Sequence, residues 1–185
     1  MTSVMAGNPT VLMAAAEGCL RSADGIAAAS DQLSRLAFGQ QSRATDAVEG
    51  VAARLARDLA TAHVRYVAAA QALRTYADEL TGIQQSFRTA EADLGTGATA
   101  GAQAEQEIDR LTRTLETYEA ANAPVSVVTQ ISDELRAWQV RSRSLTATLG
   151  EVEGLMRSAE QQLEAAAQRA IEAIDAGQEP ETRVA

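Results

Sequence analysis

One stripe of side chains limits the folds open to this chain. From Val48, the positions Ala52, Leu55, Leu59, Ala62, Tyr66, Ala69, Leu73, Tyr76, Leu80, Ile83, Phe87, Ala90 and Leu94 follow by alternating steps of four and three. All are apolar or tyrosine. A helix turns every 3.6 residues, so a stripe kept at 3.5 implies a left-handed supercoil against neighbouring helices. Nothing alternates with period two, which excludes strands. The spacing predicts a core. What kind of core depends on the rest of the chain.

Proline and glycine supply the punctuation. Asn8 before Pro9 is a helix cap followed by proline at the first helical position, where its missing N–H costs nothing. Leu12, Ala16, Cys19, Ala23, Ile26, Ser30, Leu33 and Ala37 then mark a first helical face, and the turn falls at Phe38 and Gly39. The three glycines of GTGATAG, residues 95 to 101, are expected to stop the second helix. Ala104, Ile108, Leu111, Leu115 and Tyr118 mark a third face, which NAP at 122 to 124 interrupts, because the residue before proline disfavours helical angles. The last face runs from Val128 through Ile131, Leu135, Trp138, Leu145, Leu149, Val152, Met156 and Leu163, with Ser142 its one polar member.

The expected fold is therefore all-α: long antiparallel helical hairpins in a coiled-coil-like bundle of four helices, at about 9–37, 43–94, 102–121 and 125–176. Residues 1–7 and 178–185 read as disordered ends. Residues 8–95 form one hairpin, and 96–177 a second hairpin or a kinked helix packed on the first. The core and interface side chains are expected to be Leu55, Leu59, Tyr66, Leu73, Tyr76, Leu80, Ile83, Phe87, Leu135, Trp138, Leu145 and Leu149. Helices of roughly 45 Å and roughly 75 Å cannot cover one another fully. Part of the fourth seam should project past helix two, which predicts self-association or a helical protein partner.

Charge removes several functions. The 16 basic residues, all arginine, face 25 acidic ones, for a net charge of −9. A phosphate backbone would be repelled, so nucleic acid is not an expected partner. No apolar run approaches the ~20 residues that cross a bilayer. The amino terminus lacks a basic region and a continuous apolar core, so no cleaved secretory signal is expected. Charge pairs at helical spacing, Glu17 with Arg21, Asp31 with Arg35, Asp109 with Arg113 and Glu153 with Arg157, mark solvated faces.

No catalytic constellation emerges. His63, the only histidine, has no companions at ligand spacing, and Cys19 lies on an apolar stripe. Asp78 and Glu79 point apart on a helix. No catalytic residue, metal, cofactor or small-molecule substrate is expected.

Residues 8–95 resemble the helical-hairpin domains of the WXG family, the small substrates of type VII secretion in actinobacteria, and above all the longer trafficking domains that precede toxins there. The matching features are the Asn8–Pro9 start, the alanine-rich first helix, Gly39 at the turn, and LRTYADEL from Leu73 to Leu80, followed by Gln84 and Gln85. Leu135 and Trp138 are compatible with the extra helices of such domains. The Trp-x-Gly turn itself is absent, with Ala37 in the tryptophan position. The Tyr-x-x-x-Asp/Glu export motif is also absent, since Ala70, Leu80 and Asn122 follow Tyr66, Tyr76 and Tyr118 at that spacing. The resemblance implies a non-enzymatic secreted substrate, or a helical partner of one, cytoplasmic before export without a Sec signal. A structural coiled-coil protein, such as a phage or scaffold component, fits the same heptads. A lipid-surface protein fits less well, because acids outnumber bases.

Overall fold

The computed structural model describes residues 7–35 and 42–177. It contains three helices, α1 (Pro9–Ser34), α2 (Arg43–Ala120) and α3 (Val125–Ala176), and no strand among the described residues. The turn expected at Phe38 and Gly39, the first six residues and the tail 178–185 lie outside that description.

Each helix begins and ends for local reasons. The Asn8 Oδ1 accepts hydrogen bonds from the backbone N–H groups of Thr10, at 3.0 Å, and Val11, at 3.4 Å, with Pro9 as the first helical residue. The α2 start is a reciprocal cap. The Ser42 Oγ accepts from the Thr45 N–H at 3.2 Å, while the Thr45 Oγ1 accepts from the Ser42 N–H at 2.8 Å. Asp46 adds a carboxylate to the first turn, where the helix dipole favours it. The α2 end is a Schellman turn on asparagine. Asn122 adopts φ 51, and the N–H groups of Ala123 and Asn122 bond back to the carbonyls of Tyr118 and Glu119. Pro124 then opens α3, its carbonyl accepting from Val127 and Val128.

The expected break at 95–101 does not occur. Helix α2 runs straight through GTGATAG, so the described residues form three helices, and the boundary at 95/96 coincides with no interruption of the helix. A glycine inside a helix costs only about 1 kcal/mol relative to alanine, and tertiary packing overrides it. Gly97 has a packing reason to be glycine. A Cβ placed there would lie 2.6 Å from the Leu149 Cδ2, so the missing side chain is the notch that admits Leu149. Gly95 and Gly101 have nothing within 4 Å. Replacing both by alanine is expected to raise stability by ~1–2 kcal/mol through helix propensity and reduced unfolded-chain entropy. Gly97→Val, in contrast, is expected to lower it by ~1–3 kcal/mol through overpacking. Thermal melts of the two variants should therefore move in opposite directions.

The chain divides into two compact units, Met1–Ile83 with Gln162–Ala185, and Gln84–Gln161. In the first, α1 runs antiparallel to α2. Gly7 approaches Leu80, and the Ser30 hydroxyl donates to the Ala56 carbonyl at 3.0 Å. The end of α3 also lies antiparallel to α2. Gly177 sits at Ala68, and Arg169 pairs with Glu79 at 3.0 Å. Alanines dominate what is buried there, Ala16 and Ala23 on α1 and Ala52, Ala56, Ala70, Ala72 and Ala77 on α2, with Leu80 and Ile83. In the second unit α2 and α3 meet through Phe87, Ala90, Ala104, Leu111, Val152 and Ala159, and the contact of Gly97 with Leu149 shows that the chain reverses at Asn122–Pro124. The expected overhang also moves. Because α2 is unbroken, α3 ends against Ala68, and the uncovered seam belongs to the first turns of α2.

Candidate interaction surface

Titratable groups do not converge. No group of three or more His, Cys, Asp or Glu side chains could hold a metal among the described residues, and no polar or charged residue is buried as a whole there, although the Nε atom of half-buried Arg65 is. His63 and Cys19 are both half-buried. Asp109 reaches Arg113 at 4.0 Å, whereas the Arg157 Nε donates to the Glu153 carbonyl at 3.4 Å. The Glu79–Arg169 pair is largely exposed and contributes at most about 1 kcal/mol. Both residues line a groove of about 450 Å³ between α2 and α3, where alanines make up half of the lining and Gln71, Thr75 and Tyr76 complete it. No described helix is long and apolar enough to cross a membrane.

The informative surface is on α2 before Ala68. Val48, Val51, Leu55 and Tyr66 are 49, 54, 46 and 42% exposed, although each belongs to one face of the helix. The neighbouring face, toward α1, carries Ala52 and Ala56, both buried. Side-chain size is thus sorted against simple core formation. Small residues let α1 come close, as the Ser30–Ala56 hydrogen bond records, and the large apolar residues are left outside. The four side chains together make a line of partly exposed apolar surface along α2.

The sequence-predicted residues separate accordingly. Leu80, Ile83 and Phe87 are buried as the stripe requires. Leu59, Leu73, Tyr76, Leu135, Trp138, Leu145 and Leu149 are half-buried, and Trp138 carries the Arg141 guanidinium 5.1 Å from its ring centroid. Leu55 and Tyr66, expected as core or interface, are exposed, and the buried positions nearest them are Ala52, Ala56 and Ala70. Val51, absent from the predicted stripe, shares the exposed face. The signal that could have found it is size: alanine on one edge of α2, valine and leucine on the next.

No family model, curated protein or solved structure matches the chain.

Proposed function

We propose that this chain is a non-enzymatic helical pairing protein of a type VII secretion-type system, acting as an exported substrate or as the helical partner of one. The observation that carries the pairing is the exposed line Val48, Val51, Leu55 and Tyr66, which a second helix would bury. Aromatic and branched side chains on a rigid helix give large contact area at small entropy cost, and Tyr66 is the natural anchor. The assignment to type VII export rests on the likeness of residues 8–95 to WXG-type hairpins, carried by Asn8–Pro9 and Leu73–Leu80.

Affinity purification from the native cell tests the reading, with the wild-type chain and Leu55→Arg compared side by side. Recovery of type VII export components or WXG-type hairpins with wild type, and their loss with Leu55→Arg at unchanged helicity, is the expected result. Recovery of tail or capsid proteins instead would replace it with the structural coiled-coil reading, which the unbroken 78-residue helix α2 favours.

A further inference from the structure

We infer that the exposed face of α2 binds a second copy of this chain, the two α2 helices crossing antiparallel about Leu55. The inference rests on the pairing function proposed above and names the partner at that same surface.

The face is self-complementary when turned end for end. With the two-fold axis at Leu55, the Leu55 side chains of the two copies meet. On either side, Val51 comes opposite Leu59 of the other copy, Val48 opposite Ala62, and Tyr66 opposite Ala44. Leucine meets leucine at the axis, and away from it the larger residue of each pair meets a smaller one, with the contrast greatest at Tyr66 and Ala44. Charge follows the same symmetry. Arg54 and Asp58 stand on one edge of this face, and antiparallel pairing sets the edge against itself, with each Arg54 within a turn of the other copy's Asp58. The same edge carries Arg65, whose Nε is buried without a hydrogen-bond partner among the described residues.

The opposite flank of the face is occupied by α1, so the second copy has one side to approach from. From Ala44 to Tyr66 the face is ~33 Å long. A contact of that length is at the small end of stable interfaces, so the dimer should depend on concentration.

Sedimentation equilibrium of the full chain from about 1 to about 100 µM tests this. The expected result is a rise from 19.4 kDa toward twice that mass. Leu55→Arg should remain monomeric throughout with an unchanged circular dichroism spectrum, since Leu55 is outside the monomer's core. Arg54→Asp should weaken the dimer at least tenfold, and Arg54→Asp with Asp58→Arg should restore it. In a Cys19→Ser background, Leu55→Cys should oxidise to a disulfide-linked dimer. A wild-type chain that stays monomeric, a Leu55→Arg dimer as tight as wild type, or a double exchange without rescue overturns the inference. A monomer that still captures a WXG-type hairpin through Leu55 overturns self-pairing alone, whereas a dimer that captures no export component overturns the functional reading alone.

Discussion

Leu80→Ala is expected to cost ~2–5 kcal/mol of unfolding free energy, and Leu55→Ala, on the same helix, less than ~1 kcal/mol. Both remove the same atoms. The difference comes from their surroundings, since Leu80 is the one large side chain that is wholly buried, at 0% exposure, among the described residues. Gly7 closes over it so tightly that a Cβ there would lie 2.8 Å from the Leu80 Cδ2, and Gly7 also holds φ +133, where other residues are strained. Replacing the isopropyl group by hydrogen leaves a cavity that the α1–α2 contact cannot easily collapse. Urea unfolding of dilute samples, monitored by circular dichroism, gives both values. Equal costs at Leu80 and Leu55 would mean that α2 does not present these faces as described.

Phe87→Ala is the second large effect, ~3–5 kcal/mol, and it belongs to the other compact unit. Phe87 is buried together with Ala90, Ala104, Leu111, Val152 and Ala159, a core in which most side chains are small. Phe87 is the largest side chain among these buried residues, so its truncation removes the most buried apolar surface of any of them. Tyr118→Ala, near the hairpin turn and exposed, should cost less than ~1 kcal/mol. Amide exchange of residues 84–161 reads the difference, with protection expected to fall in the Phe87 variant and to persist in the Tyr118 variant. Comparable protection in the two would contradict the burial of Phe87.

The helical class was legible because the stripe is long and no stretch alternates with period two. In its second part Leu80, Ile83, Phe87 and Ala90 are buried, since large apolar residues there are the ones removed from water. In its first part Leu55 and Tyr66 stay exposed while Ala52 and Ala56 are buried. Hydrophobicity alone ranks Leu55 above Ala56, but α1 approaches closely enough to hydrogen-bond at Ala56, and close approach selects the small residue. The glycine stop misled for a related reason. Gly97 looks locally like punctuation, and its role depends on Leu149, on another helix, which no local pattern reveals. Asn122 and Pro124 were legible as an interruption. Reversal rather than a kink needed the left-handed asparagine and its two backward hydrogen bonds. The exposed face was legible only as apolar periodicity, because spacing records that a face is greasy and not whether the same chain covers it.

The most direct test places a photo-activated cross-linking side chain at position 55, and separately at position 57 on the opposite side of α2, in the native cell. The account predicts a discrete cross-linked species from position 55, in which a second helical chain is joined to this one, and none from position 57. Cross-linking of equal yield from both positions, or from neither, would contradict the claim that this protein works by burying that edge of α2 against another helix.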